Sequence, residues 1–286
     1  SEELAQTLED DSVALSTMKA SKFYSAFAAR IDAWEATLSA ISEVVESLLV
    51  LQRKWMYLES IFLGTGDISR QLPAEYAMFT EVNLQFSDLM SDLHQHPNAK
   101  TFCTRSGMMQ GLTSMDTILE KVQKSLDQYL ETKRVLFPRF YFISDDDLLE
   151  ILGQSKSPVA VQRFIKKCFE GIKSLELLAP GANLNRTYEA IAMKAPDGEM
   201  ADFVDNVVLD GPVELWLKEV ENAMVRGMQK LLATCLSQIK AKKEKWIKDW
   251  QGQLVISAGA IAWTNDCIKS LASIASGTKG ALRSQK

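Results

Sequence analysis

The chain has 286 residues, 47% of them hydrophobic, which provides enough apolar side chains for one large folded domain or two. Its net charge of −5 excludes a broad basic surface that neutralises phosphates, so we expect no nucleic-acid partner. The 4 cysteines are widely scattered without a C-x-x-C pair, which indicates reduced thiols of an intracellular protein rather than a disulfide framework.

The first predicted element is a very long amphipathic helix over residues 20 to 63. Apolar side chains recur there in steps of three and four, and they include Trp34 and Trp55. At 1.5 Å of rise per residue, a helix of this length is on the order of 60 Å long. We therefore expect a rod rather than a short globular helix.

Two further helices are predicted at about residues 73–93 and 105–135, and each carries a similar apolar stripe. Each stripe is too wide to face water alone, so each must be buried against the others. The sequence therefore predicts a first bundle of long antiparallel helices over residues 1–136.

An aromatic run then interrupts the helical pattern. Pro138 ends the preceding helix because it has no N–H to donate. Phe140, Tyr141 and Phe142 follow as consecutive aromatic residues, and we expect this large apolar surface to be buried. We predict an aromatic corner with short helices over residues 137–186.

Capping signals divide this corner into short helices. Ser144, followed three residues later by Asp147, is typical of a helix start, because a hydroxyl can accept from the free N–H groups. Gly153 is a predicted C-terminal cap. Ser157 and Pro158 predict the cap and first position of the next helix.

Turn residues predict a small β-element next. The dipeptide Pro180-Gly181 and the tripeptide Pro196-Asp197-Gly198 are turn signals, and they flank segments at residues 188–193 and 200–209. We predict one inserted β-hairpin over residues 187–210. A lone hairpin is marginal in water, so we expect it to lean on a helix.

The end of the chain predicts a second long-helix bundle over residues 211–286. Gly211 and Pro212 precede a long helix that carries Trp216 on its apolar face and continues to a basic run at Lys240–Lys245. We expect this run to be a solvated helix end. The tail from residue 277 is predicted to fray.

Trp246 and Trp250, four residues apart, are predicted to stack at the next corner, before a last helix at about residues 253–274. The apolar residues predicted to face inward on that helix are Leu254, Ile261, Ile268 and Leu271. The tryptophans predicted to act as packing anchors along the whole chain are Trp34, Trp55, Trp216, Trp246, Trp250 and Trp263. The fold class predicted from these elements is all-α, an elongated stack of helical bundles with one small inserted β-hairpin.

Motifs that carry chemistry are weak or missing. His94 and His96 point away from each other on a helix and lack further ligands, so we expect no metal site. The glycine pair at Gly64 and Gly66 has no lysine at the spacing of a phosphate loop. No apolar run reaches the roughly 18 to 20 residues that span a bilayer. We therefore expect no catalytic residue, no cofactor and no membrane partner in this chain.

Several motifs occur in the order found in one known family. They are Leu51-Gln-Arg-Lys-Trp-Met-Tyr-Leu-Glu-Ser-Ile-Phe62, Phe137-Pro-Arg-Phe-Tyr-Phe142 with the acidic segment to Gly153, Val213-Glu-Leu-Trp-Leu217, Trp250-Gln-Gly-Gln-Leu-Val255 and Ile261-Ala-Trp-Thr264. This set resembles the linker of dynein heavy chains. The chain starts without methionine, and we expect it to be a fragment of a larger protein.

The resemblance implies a mechanical function without catalysis. In the family the linker arches across an AAA+ ring of the same heavy chain, and its change of shape delivers the power stroke of a microtubule motor. Nucleotide chemistry occurs in the ring, and the microtubule is reached only through the rest of the motor. The implied location is the cytoskeleton of the cilium or flagellum axoneme, with the cytoplasm as the alternative.

The bend of the family's linker lies between helical subdomains, which implies a hinge between about Pro138 and Pro212. Irregular chain and the predicted hairpin concentrate there, and hinges usually lie at the ends of elements. The candidate hinge or corner residues are Pro138, Phe140, Tyr141, Phe142, Gly153, Pro158, Gly211 and Pro212.

Three other interpretations of the sequence compete with this mechanical function. A static helical scaffold or tethering protein predicts regular repeats, and we find no internal repeat. A membrane-bending dimer needs a basic stripe on the long helix, which instead carries several glutamates. An enzyme is the least favoured class of protein. Only a pocket that contains His94 or His96 together with other catalytic groups would support it.

Overall fold

The computed structural model describes residues 2–64, 68–181, 187–240 and 243–276. Gly66, two residues of the predicted basic run and the predicted frayed tail lie outside the described residues. The chain divides into two compact units, Ser1–Glu131 and Thr132–Lys286. Helices dominate both units and a small antiparallel sheet is inserted in the second, which confirms the predicted all-α class with a small β-element.

The helices of the first unit differ greatly in length. They are α1 (Glu2–Lys19), α2 (Tyr24–Phe62), α3 (Ile68–Gln71), α4 (Pro73–Gln95), α5 (Ala99–Cys103) and α6 (Met108–Leu136), whose last residues belong to the second unit. The long predicted helix is confirmed, because α2 runs for 39 residues without a break. The two following helices are confirmed as α4 and α6. The sequence analysis missed α1, in which Leu15 is the one buried side chain among those described.

The long helices of the first unit pack against one another, with contacts between each pair of them. The pairs are Trp55 and Phe86 with ring centroids 4.9 Å apart, Lys54 Nζ and Asp116 at 2.8 Å, and Ser125 Oγ and Glu75 at 2.6 Å. The inner stripe of α6 is the most regular of the three. Its buried residues are Leu112, Met115, Leu119, Val122, Leu126 and Leu130, which follow the predicted steps of three and four.

The second unit combines short helices, a sheet and two long helices. After a 3₁₀ helix (Pro138–Phe142), its elements are α7 (Asp145–Gly153), α8 (Pro158–Cys168), β1 (Ser174–Leu178), β2 (Glu189–Lys194), β3 (Met200–Val208), α9 (Val213–Ser237), α10 (Lys243–Asp249) and α11 (Gly252–Ala275). The predicted long helix through the basic run is wrong in its length, since α9 ends at Ser237 and α10 is a separate element.

The sheet has three antiparallel strands in the order β1-β2-β3. The predicted hairpin is confirmed as β2 and β3, with Lys194 opposite Met200 beside the turn. Strand β1 was missed, because its short Ser-Leu-Glu-Leu-Leu run follows directly on the end of a helical pattern. It pairs with β2 from Ser174 opposite Lys194 to Leu178 opposite Glu189.

The outer edge of β1 is partly covered by a side chain of α8. The amide of Gln162 donates to the carbonyl oxygen of Leu175 at 3.0 Å and accepts from the N–H of Leu175 at 3.0 Å. Both backbone groups of Leu175 are therefore satisfied without a further strand. Such cover protects an edge strand from pairing with another chain.

The hairpin leans on a helix, as predicted, and the helix is α9. Gly227 lies where α9 passes β3, and a Cβ added there would be 3.0 Å from the carbonyl oxygen of Asp202. A Cβ at this distance is closer than an ordinary van der Waals contact, so a side chain here requires the backbone of β3 to shift. The buried side chains Ala201, Phe203 and Val207 of β3 complete the contact layer.

The C-terminal helices form a smaller apolar cluster around Cys235, Trp246, Leu254 and Ala258. Only the first turns of α11 take part in it. The prediction that Ile261, Ile268 and Leu271 face inward is wrong for the described residues, because these side chains are 38%, 59% and 59% exposed. The apolar periodicity of α11 is real, yet the described residues supply no surface that covers its second half.

Candidate functional site

The aromatic segment, residues 137–143, has a period of three rather than 3.6. A 3₁₀ helix stacks side chains at i and i+3 on one face. Phe137, Phe140 and Ile143 are accordingly 0%, 0% and 3% exposed. Tyr141 and Phe142 face outward and are 54% and 78% exposed. The expectation that the whole aromatic run is buried is therefore wrong for these two residues.

The inner face of the aromatic segment packs on the end of α8. The rings of Phe137 and Phe140 meet edge to face with centroids 4.9 Å apart. The ring of Phe169 lies 6.1 Å from that of Phe137. Aromatic pairs of this geometry contribute beyond their buried area, by about 0.5–1.5 kcal/mol each. The predicted corner is thus a packed core rather than an open loop.

A buried ion pair joins the end of α6 to the start of α9. Lys133 Nζ lies 2.5 Å from the carboxylate of Glu214, and the two side chains are only 18% and 4% exposed. Removing one partner of such a pair leaves an uncompensated buried charge and costs about 3–5 kcal/mol. The pair connects positions 81 residues apart, on either side of the predicted hinge region.

Arg134 fixes the far end of the aromatic segment. Its Nη2 donates to the carbonyl oxygen of Ile143 at 3.2 Å and to the carboxylate of Asp145 at 2.6 Å. Asp145 is the first residue of α7. The guanidinium therefore ties α6, the aromatic segment and α7 together with charge-assisted hydrogen bonds, which are stronger than neutral ones.

Arg139 projects from the aromatic segment towards α8 and α9. Its Nε donates to Glu221 at 2.7 Å and its Nη1 to the carbonyl oxygen of Cys168 at 3.2 Å. The guanidinium also lies 4.8 Å from the centre of the Phe169 ring. Lys133, Arg134 and Arg139 are thus three cations within seven positions, and between them they reach α7, α8 and α9.

The predicted start of α7 is confirmed and its predicted end is wrong. Ser144 is the N-cap and accepts from the N–H of Asp147. The Asp147 carboxylate accepts from Lys167 Nζ at 2.5 Å and from the Ser144 hydroxyl at 2.9 Å, and these two hydrogen bonds lower the pKa of Asp147. Gly153 is the last helical residue rather than the cap, and Gln154 takes the cap position.

The remaining candidate hinge residues lie at element ends. Pro158 is the first residue of α8 and is buried. Gly211 has φ = +77°, a left-handed conformation that residues with a side chain rarely adopt. Pro212 is the N-cap of α9. Their role as a hinge stays a prediction.

The turn of the hairpin contacts the start of α11, a feature that the sequence did not signal. Gln251 donates to the carbonyl oxygen of Met200 at 2.6 Å, and the N–H of Gly252 donates to the Glu199 carboxylate at 3.0 Å. A carboxylate at a helix N-terminus is stabilising. The sheet thereby contacts both long helices of the second unit.

Three of the tryptophans predicted as anchors make specific contacts. Trp216 is 3% exposed, and Trp246 is 6% exposed and donates to the carbonyl oxygen of Cys235 at 3.0 Å. Trp55 donates to Asn83 at 2.9 Å within the first bundle. Trp55 and Trp246 therefore combine packing with a hydrogen bond, whereas the buried indole N–H of Trp216 has no hydrogen-bond partner among the described residues.

The other three tryptophans differ among themselves. Trp250 packs against the cluster around Trp246. Trp34 is 43% exposed and lies under the amino group of Lys100, 5.0 Å from its ring centre. Trp263 is 69% exposed, so it anchors no core formed by the described residues.

The described residues show little that could perform chemistry. Among them, no group of three or more histidine, cysteine or acidic side chains could hold a metal ion. His96 pairs with Asp92 at 3.1 Å. Burial raises the pKa of the Cys168 thiol to about 12, so it stays protonated and unreactive at neutral pH. No helix within the described ranges is long and apolar enough to cross a lipid bilayer.

The comparison with known families agrees with this arrangement. Residues 1–235 match the family described as dynein heavy chain, N-terminal region 2. The chain belongs to the dynein heavy chain family. Both the long-helix bundle and the aromatic segment lie inside the matched range, and α9 is matched almost to its end.

Individual heavy chains are similar over nearly the whole chain. Mouse dynein axonemal heavy chain 2 is 51% identical over 94% of this chain. The Chlamydomonas reinhardtii dynein-1-beta heavy chain of the flagellar inner arm I1 complex is 49% identical over 97%, and human dynein axonemal heavy chain 6 is 34% identical over 92%. The chain spans only 6 to 7% of the length of these relatives.

Proposed function

We propose that this chain is a non-catalytic lever arm of a microtubule motor, which changes shape over an AAA+ ring to deliver the power stroke. The observation that carries the proposal is the match of residues 1–235 to the N-terminal region of dynein heavy chains. The ring belongs to the same heavy chain, and the microtubule is reached through the rest of the motor. The segment itself binds no nucleotide, metal, nucleic acid or membrane.

The mechanical properties of the elements support a lever. Helix α2 has 39 residues, which at 1.5 Å per residue is on the order of 58 Å of continuous helix. In the second unit, three cations and a buried aromatic pair fix the corner at several points. A lever needs stiff parts of this kind, because compliant parts would absorb the movement that the ring supplies.

The hinge is proposed between Pro138 and Pro212, and the Lys133–Glu214 and Arg139–Glu221 pairs hold the two ends of this region together. A ring whose nucleotide states prefer different shapes of the lever shifts the population of those shapes. A ring that binds both shapes equally moves nothing. The nucleotide-dependent difference in affinity is therefore the quantity to measure.

The first experiment titrates the purified chain against a dynein motor ring that lacks its own linker, without nucleotide and with ATP plus vanadate. Affinity that differs between the two conditions supports the lever, and the ratio gives the coupling free energy. Concentrations up to the millimolar range are needed, because separated pieces lose the effective concentration of the covalent link. Equal or absent binding in both conditions would favour a static scaffold instead.

The second experiment introduces Glu214→Gln into a complete heavy chain that carries this segment. We expect ATPase activity within about twofold of the parent and microtubule gliding slowed severalfold, because about 3–5 kcal/mol of stabilisation is lost at the corner. Glu219→Gln, an exposed position on the same helix, is the matched control and should leave gliding unchanged. Normal gliding by the Glu214→Gln variant would show that the Lys133–Glu214 contact is not needed for the power stroke.

The relatives described as axonemal or flagellar support a place in the cilium or flagellum axoneme for this chain. Cytoplasmic dynein is the alternative that the sequence analysis left open. Localisation of the tagged full-length heavy chain in a ciliated cell distinguishes the two, since an axonemal chain concentrates along the cilium.

A further inference from the structure

A pocket of about 700 Å³ opens at the C-terminal end of α8 in the second unit. It is bordered by the last turn of α8, by the chain that leads into β1 and by the outward ring of Phe142. We propose that this pocket docks an acidic peptide segment of a partner protein that also carries an apolar side chain. The proposal concerns a binding surface and does not depend on the lever.

The charge of the lining favours an acidic partner. Arg139, Lys166, Lys167 and Lys173 line the pocket against a single carboxylate, that of Glu170. Lys166 and Lys173 are exposed and have no ion-pair partner among the described residues. This local excess of cations contrasts with the net charge of −5 of the whole chain.

The other two cations of the lining, Arg139 and Lys167, are already engaged in ion pairs. Arg139 is held by Glu221 at 2.7 Å and Lys167 by Asp147 at 2.5 Å. Because these pairs are already made, the two remaining lysines are the groups that can meet carboxylates of a ligand. Charges of this exposed kind mainly set specificity and the rate of association.

Apolar surface beside the lysines provides a contact for the apolar side chain of the proposed peptide. The ring of Phe142 is 78% exposed, because the 3₁₀ helix places Phe140 on its buried face and Phe142 outside that face. Ile172 and Pro196 continue the apolar lining. An aromatic side chain has few rotatable bonds, so it loses little conformational entropy when a ligand covers it, as expected of an interface anchor.

A peptide fits this pocket better than a phosphate group does. Phosphate sites use the N-terminus of a helix, where several N–H groups converge on the anion. The last turn of α8 lines this pocket instead, so no helix N-terminus offers its N–H groups to a phosphate there. Separated lysines around an apolar floor match separated carboxylates with an apolar side chain between them.

The test measures binding of a fluorescein-labelled peptide of glutamate pairs separated by single leucines to the 286-residue chain by fluorescence anisotropy. We expect saturable binding that the double variant Lys166→Glu/Lys173→Glu weakens about tenfold or more. Phe142→Ala should weaken the same peptide by a similar factor. Circular dichroism verifies that each variant is folded. We expect all of them to fold, because the substituted side chains are exposed.

Matched controls separate a pocket from general charge attraction. Lys218→Glu/Lys230→Glu changes the net charge equally at exposed positions of α9 and should keep binding within about twofold. A peptide with glutamine for glutamate should bind at least about tenfold more weakly. The proposal is overturned if the control variant loses as much affinity, if the acidic peptide does not bind, or if inorganic pyrophosphate displaces it.

Discussion

The period-three burial of the aromatic segment makes a sharp prediction about two neighbouring phenylalanines. Phe140 is 0% exposed and Phe142 is 78% exposed, although the two are separated by one residue. Phe140→Ala removes a fully buried ring that also meets Phe137 edge to face at 4.9 Å. A truncation of this kind costs about 3–5 kcal/mol in unfolding free energy. Phe142→Ala removes a ring that already faces water, so it should change the free energy of unfolding by no more than about 0.5 kcal/mol.

The assay is equilibrium urea denaturation of the chain and both variants, followed by tryptophan fluorescence. Most tryptophans lie in the second unit, so the signal reports mainly on the unit that contains the aromatic segment. A gap of at least about 2.5 kcal/mol between the two variants is expected from these ranges. Equal losses, or a larger loss for Phe142→Ala, would refute the assignment of inner and outer faces.

Two further substitutions probe single contacts of the second unit. The pKa of Asp147 is lowered by its bond to Lys167, so the stabilisation exists at neutral pH and disappears as pH falls through the folded-state pKa. Asp147→Asn should be less stable than Asp146→Asn, an exposed change in the same turn, at pH 7 and equally stable well below pH 3 in urea titrations. Gly227→Ala should lower the free energy of unfolding by about 1–3 kcal/mol, because the added Cβ comes too close to the backbone of β3. Gly259→Ala, with open space around it, should instead raise stability by about 0.5–1 kcal/mol, and an unchanged Gly227 variant would contradict the close approach.

The cations of the corner restrict where the second unit can bend. Lys133, Arg134 and Arg139 lie within seven positions and reach α9, α7 and the end of α8. Any movement that separates these elements breaks at least one charge-assisted bond. A movement that takes α9 away from α6 and the aromatic segment must therefore open both the Lys133–Glu214 and the Arg139–Glu221 pair.

Local sequence determined the type and order of most elements. The steps of three and four in α2, α4 and α6 depend only on helical geometry, and most of the predicted stripes are buried, although Trp34 of the α2 stripe is 43% exposed. Ser144 caps α7 because its hydroxyl needs only the N–H three residues on. The turn at Gly198 likewise depends on the conformation of a few adjacent residues.

Tertiary structure decided which side chains of these elements are covered. Phe140 is buried and Phe142 exposed because the segment is a 3₁₀ helix against α8, whereas three consecutive aromatics by themselves fit several periods. The partners of Lys133 and Arg139 lie 81 and 82 residues away, and no local pattern encodes such a distance. Helix α11 shows the same limit, since its apolar stripe predicts a buried face and Ile268 is 59% exposed. A periodic stripe fixes which face of a helix is apolar, and only the packing of other elements determines whether that face is covered.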